Sequence, residues 1–120
     1  MANNYNRGDH DTRPWGTWEV LDSEANFCVK RIKVIPGGKL SLQLHHYRSE
    51  HWVIVKGEAL ITLGDELITK KAGENVFIPV EVKHRIQNNS NQDIEFIEVQ
   101  IGDNLDENDI VRLEDVYGRV

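Results

Sequence analysis

Turn residues punctuate this chain so closely that no long helix fits between them. Breaks fall at Pro36-Gly37-Gly38, Gly57, Gly64-Asp65, Gly73 and across residues 88–93. Between the breaks, apolar and polar residues alternate with the two-residue period of a half-buried strand. The segments that read as strands run near 17–21, 27–35, 40–45, 51–55, 59–63, 66–70, 75–78, 84–88 and 94–101. Short strands between frequent turns predict an all-β sandwich or barrel. Gly64-Asp65 is predicted to be a tight hairpin turn. The acidic tail, 103–119, reads as a short helix or an edge strand, its carboxylates as a solvated face.

The chain has 120 residues, enough for one domain with a real core. Its 39% apolar and 28% charged content is that of a globular protein. The domain is expected over 13–120, behind a polar arm, 1–12, expected to be mobile. The first eleven residues lack the apolar centre of a signal peptide. No apolar run has the length of a membrane span, so the expectation is a cytoplasmic protein with no membrane contact. A net charge of -6 argues against nucleic-acid binding, which needs a surplus of Lys and Arg. A small phosphorylated molecule requires only a local group of cations. Cys28, the single cysteine, reads as a buried small hydrophobe.

One polar strand face is unusual. In "LSLQLHHYRSEHWVIVKG", Leu40, Leu42 and Leu44 alternate with Ser41, Gln43 and His45. Gln43 and His45 project to the same side, Glu50 follows a short turn, and His84 comes from far along the chain. An amide oxygen, a carboxylate and two imidazoles form a mixed set suited to a divalent first-row metal: Zn, Fe, Mn, Co or Ni. If these groups look inward, the three leucines look outward and need a cover, which predicts a homodimer.

The glycine and proline frame around that set carries a resemblance. Gly37, Gln43, His45, Glu50 and Gly57 resemble the first cupin motif, and Gly73, Pro79, His84 and Asn88 the second. The resemblance implies a small double-stranded β-helix, or jelly-roll barrel. Gln43 stands where the first motif usually has His, and Glu81 where the second usually has Gly. The series "RPWGTWEVL", "QLHHYRSEHW" and "DIVRLEDVYGR" is similar to the cupin domain of type II phosphomannose isomerases, with Tyr47 where a third His is common. In that family the domain usually follows a mannose-1-phosphate guanylyltransferase domain.

The resemblance implies interconversion of mannose 6-phosphate and fructose 6-phosphate, or of a close sugar-phosphate analogue. It implies one divalent ion, with zinc favoured, held by Gln43, His45, Glu50 and His84. Proton transfer between the sugar carbons then needs a base, for which Glu98, His51 and Lys30 are candidates. Glu98 and Gln100 share a strand face with Phe96, as a pocket wall would. His51, next to a ligand, points away from it on a strand. For the phosphate and sugar the candidates are Arg48, Lys30, Arg85, Arg112 and Arg119, with Ser41, Gln100 and Trp15 as further contacts. Two other functions fit the same residues. One is an oxygenase using His45, Glu50 and His84 as a two-His-one-carboxylate iron site. The other is a noncatalytic sugar-phosphate-binding cupin.

Overall fold

A computed structural model describes residues 2–118, and among them the only regular structure is strand and turn. The strands are β1 (Ala2–Asn3), β2 (His10–Arg13), β3 (Gly16–Glu24), β4 (Phe27–Val34), β5 (Leu42–Leu44), β6 (Ser49–Lys56) and β7 (Glu58–Leu63). They continue with β8 (Glu66–Lys71), β9 (Asn75–Ile78), β10 (His84–Gln87), β11 (Ile94–Ile101), β12 (Asn104–Leu105) and β13 (Val111–Glu114). Six form one antiparallel sheet in the order β2-β3-β4-β11-β6-β9, and five form a second in the order β13-β5-β10-β7-β8. No described helix is long and apolar enough to cross a membrane.

The nine segments read from alternation all become strands, with ends shifted by a few residues. Gly64-Asp65 closes the β7–β8 hairpin, with Leu63 opposite Glu66. The tail takes the edge-strand option as β13, against β5. Gly57 has φ 86°, and a Cβ there would lie 2.7 Å from the Asp93 carbonyl oxygen, so the turn between β6 and β7 requires glycine. Glu81, at the second motif's glycine position, keeps that left-handed conformation, with φ 65°. Its N–H donates to the His45 carbonyl at 2.7 Å.

Two readings need correction. Residues 2–12, expected as an arm outside the domain, lie on the barrel: β1 pairs with β12, β2 with β3, and Tyr5 is buried. An aromatic side chain with apolar surface to bury draws the polar segment in. Leu40 does not look outward; it packs on the core, because regular pairing of that strand begins only at Leu42. Leu42 and Leu44 are half-buried, so these three leucines do not make an exposed patch.

The interior changes character along the six-stranded sheet. Phe96 stands between Ile32 and Ile54, in a core that includes Val34, Ile61, Ile86 and Ile94. One strand repeat further, Glu98 stands between Lys30 and Trp52. The next repeat places Gln100 between Cys28 and Glu50. The alternation that buries Phe96 therefore also buries a carboxyl and an amide.

Candidate metal centre and cleft

Both sheets contribute to a buried cluster at the polar end. His45 follows β5, and His84 opens β10, whose first residue pairs with Gln43. Glu50 enters from β6 in the facing sheet. One ligand atom from each of His45, Glu50 and His84 lies within 4.8 Å of the others. His45 Nε2 is 3.3 Å from Glu50 Oε2, and His84 Nε2 is 3.9 Å from Glu50 Oε1.

Backbone carbonyls set both imidazole rings. His45 Nδ1 is 2.6 Å from the Asp109 carbonyl oxygen, and His84 Nδ1 is 2.9 Å from that of Val82. A carbonyl can only accept, so each ring carries a proton on Nδ1, which leaves Nε2 as the ring atom facing Glu50. This is the arrangement that supporting hydrogen bonds give to metal-binding histidines. Burial, with Arg48 and His84 nearby, pushes the His45 pKa down to about 4 against the pull of Glu50, which keeps the ring neutral.

Glu50 is fully enclosed and fully paired. Its Oε2 accepts from Arg48 Nε at 2.9 Å, and its Oε1 from Trp52 Nε1 at 2.9 Å. Burial alone would raise its pKa, but the Arg48 guanidinium holds it well below the usual carboxylate range. Glu98 is shifted the other way. Burial first, and the Glu50 charge second, push its pKa up to about 8. Gln100 Nε2 donates to Glu98 Oε2 at 2.9 Å. Two carboxyls in one buried site are thus driven to opposite protonation states.

A void of about 30 Å3 lies among Gln43, Arg48, Glu50, His84 and Glu98. It has room for an occupant of roughly water size. Glu50 and His84 border this void and His45 borders the cleft; together the two oriented imidazoles and the carboxylate fit a divalent first-row ion. Above it opens a cleft of about 320 Å3, walled by Trp15, Lys30, Ser41, Arg112 and Glu98, with Tyr5, Arg13 and Trp18 at one side.

The sequence-derived candidates fall into distinct places. Gln43 borders both the void and the cleft, its amide donating to Ser41 Oγ at 2.8 Å. Ser41 and Gln100 are fully buried, and Gln100 Oε1 has no hydrogen-bond partner among the described residues. Trp15 belongs to the apolar core and also borders the cleft. Arg112 enters the cleft wall from β13, opposite Gln43. Arg48 commits its guanidinium to the cluster, with Nη2 2.9 Å from Glu50 Oε2 and 3.2 Å from His45 Nε2. Arg85 ties the tail to the barrel through the Leu40 carbonyl and Glu114. Arg119 lies outside the described residues. His51 is corrected: strand alternation turns its exposed ring outward against Phe77, with centroids 4.8 Å apart, so it does not join Glu98 and Lys30.

Asp109 was missed. It is buried, and besides holding His45 through its carbonyl, its carboxylate accepts the His46 and Tyr47 N–H groups at 2.9 and 3.0 Å. Nothing local marks one acid of an acidic tail as the anchor of a loop 62 to 64 residues away. Tyr5 and Trp18 were also missed. The one available signal was an aromatic residue in an otherwise polar arm.

Residues 2–115 match the family model described as mannose-6-phosphate isomerase C-terminal. The chain is 50% identical over 107 residues to the xanthan biosynthesis protein XanB of Xanthomonas campestris pv. campestris strain B100, covering 89% of this chain and 23% of XanB. It is 44% identical over 108 residues to the mannose-1-phosphate guanylyltransferase ManC of Salmonella typhimurium LT2, covering 90% of this chain and 22% of ManC. The chain therefore spans less than a quarter of these relatives' length. A crystal structure of a Klebsiella pneumoniae protein with a double-stranded β-helix domain matches with a TM-score of 0.76 at 18% identity, covering 88% of this chain and 90% of that one. That likeness shows the fold. On a cupin-type double-stranded β-helix, the chain belongs to the mannose-6-phosphate isomerase C-terminal family.

Proposed function

We propose that the chain is a metal-dependent aldose–ketose isomerase acting on mannose 6-phosphate and fructose 6-phosphate, or on a close sugar-phosphate analogue. One observation carries the reading: Glu98 borders both the metal-ready void and a cleft that Lys30 and Arg112 also line. A divalent ion, zinc first, would be held by His45, Glu50 and His84 with Gln43 beside them; when bound it stabilises negative charge developing on sugar oxygens.

In its ionised form, which its raised pKa of about 8 makes the majority only at alkaline pH, Glu98 takes the proton from one sugar carbon and returns it to the neighbouring one. Gln100 fixes the Glu98 carboxyl through Oε2. Lys30 and Arg112 supply positive charge for the phosphate, while Ser41 and Trp15 bound the space for the sugar. Arg48 lines the same cleft but is paired with Glu50. Arg48→Lys, which keeps charge and loses the fork, measures whether it also serves the substrate.

The test is to strip the protein of metal, reload it with Zn, Fe, Mn, Co or Ni, and assay a panel of hexose phosphates. Isomerisation of mannose 6-phosphate is expected, falling at least about a hundredfold in Glu98→Gln with binding little changed. Sugar-phosphate binding without turnover under every metal would leave a binding cupin. Oxygen uptake by the iron form would make it an oxygenase. Sedimentation at micromolar concentration checks the homodimer that forms part of the same proposal.

A further inference from the structure

Lys30 sits in an unusual environment for a lysine. It is 7% exposed, between Val20 on β3 and Glu98 on β11. Its Nζ lies 3.8 Å from the centroid of the Tyr5 ring and 4.6 Å from that of Trp18. The two rings meet edge to face at 6.2 Å. A lysine this enclosed would ordinarily extend its ammonium to water. Here two aromatic faces hold the charge instead. Among the described residues, no hydrogen bond or ion pair within 4 Å uses its N–H donors, although the Glu98 carboxyl stands opposite on β11.

We propose that Tyr5 is a positioning residue: with Trp18 it clamps the Lys30 ammonium at the cleft wall, as the anchor of a subsite for a phosphate-type oxyanion. The argument rests on how the charge is stabilised. A π face offsets part of the desolvation cost without the neutralising pair that a carboxylate would make, so the positive charge, and the N–H turned away from the rings, remain for a ligand. An ion pair with a carboxylate would have spent them. A phosphate supplies several acceptor oxygens and the opposite charge, which makes charge-assisted hydrogen bonds in a partly dry site. This deepens the isomerase reading, on which the identity of the anion as a sugar phosphate rests.

Tyr5 reaches Lys30 from the N-terminal strap, which is pinned on both sides. Asn3 Oδ1 accepts the Tyr5 N–H at 2.9 Å, and Asn3 Nδ2 donates to Ser23 Oγ at 2.8 Å. Asn4 Oδ1 accepts the Glu107 N–H from the tail at 3.1 Å. The strap is thereby a wall of the cleft, and its order and the anion subsite depend on each other.

The test uses the full chain, inorganic phosphate as probe, and two readouts that need no turnover. Calorimetry gives phosphate affinity; mass spectrometry maps the rate at which an amine-acylating reagent modifies Lys30. In Tyr5→Leu, Lys30 acylation should accelerate, and phosphate should bind about three- to tenfold more weakly, in line with a cation–π contact of this kind. Tyr5→Phe keeps the ring and should behave as the parent. In a Lys30→Gln background, Tyr5→Leu should cause no further loss of phosphate affinity. The proposal is overturned by Tyr5→Leu matching the parent, by Tyr5→Phe matching Tyr5→Leu, or by an equal loss in the Lys30→Gln background, which would mean that Tyr5 acts only through folding. No phosphate binding by the parent would also overturn it. Absence of isomerase activity, with the clamp results intact, would defeat only the isomerase reading.

Discussion

Glu98 stands only two positions after Phe96, yet the rows in which they stand hold different chemistry on the same strands. Around Phe96, Ile32 and Ile54 meet Ile61, Ile86 and Ile94 in hydrocarbon contact. Each such side chain contributes roughly 1.5–3 kcal/mol by leaving water. Around Glu98 stand Lys30, Arg48, Glu50, His45 and His84, all buried. Burying these groups costs free energy that pairing only partly recovers. The apolar end therefore supplies the stability that allows the polar end to keep Glu98 and Glu50 together in a dry site. The comparison also teaches that strand alternation selects which side chains go inside, and not whether they are apolar.

The sharpest way to break this division is in the apolar row. Phe96→Ala should cost about 3–5 kcal/mol of stability through the cavity it leaves, with metal stoichiometry unchanged in the fraction that stays folded. Chemical denaturation of parent and variant checks the first half, and metal analysis of the folded fraction the second. If metal binding were lost while the fold held, the two ends would not be separable.

The converse substitution belongs to the polar row. His45→Ala with His84→Ala should lower divalent-metal affinity by more than the roughly hundredfold that loss of one supporting partner can cost. Glu50 keeps its bonds to Arg48 and Trp52, so the stripped variant should melt close to the stripped parent. Competition with a chelator and a thermal scan measure the two effects. Unchanged affinity would remove these histidines from the centre.

Cys28 sharpens the boundary between the rows. Burial, aided by Glu98 and opposed by Lys30, pushes its pKa from 9.0 up to about 11. The folded thiol holds its proton more tightly than the unfolded one. Its contribution to stability is thus complete below pH 9 and is lost as the pH rises toward 11. Iodoacetamide at pH 8 should leave folded Cys28 unmodified and alkylate it in denaturant, as mass spectrometry would show. Rapid alkylation of the folded protein would mean that this end of the barrel opens readily.

The smallest effect concerns the turn that brings β10 to the centre. Glu81 occupies a left-handed conformation, at a cost of roughly 1–2 kcal/mol for an L-residue. Glycine would remove that strain but give back about 0.4–1 kcal/mol through the freer unfolded chain. The exposed His46–Glu81 pair, 3.3 Å apart, adds little. Glu81→Gly should therefore stabilise the protein slightly, by about 0.5 kcal/mol. A lower melting temperature would show that the Glu81 side chain matters more than its backbone.

The amino-acid sequence alone determined the strands, the β7–β8 turn and the inward face of β11, because these depend on residue period and on the φ freedom of glycine. It also brought His45, Glu50 and His84 into one candidate set, through the order of two motifs. Contacts between distant segments decided the rest. Whether Arg48 is spent on Glu50, two residues on, or faces a ligand depends on the two sheets closing over both side chains and burying them together. Whether Lys30 is a surface charge or a clamped one depends on Tyr5, 25 residues earlier in the chain. Asp109 anchors His45 only because the tail crosses the barrel mouth beside β5. Local period is written residue by residue, whereas the partner and protonation of a buried charge come from whatever the folded chain packs against it.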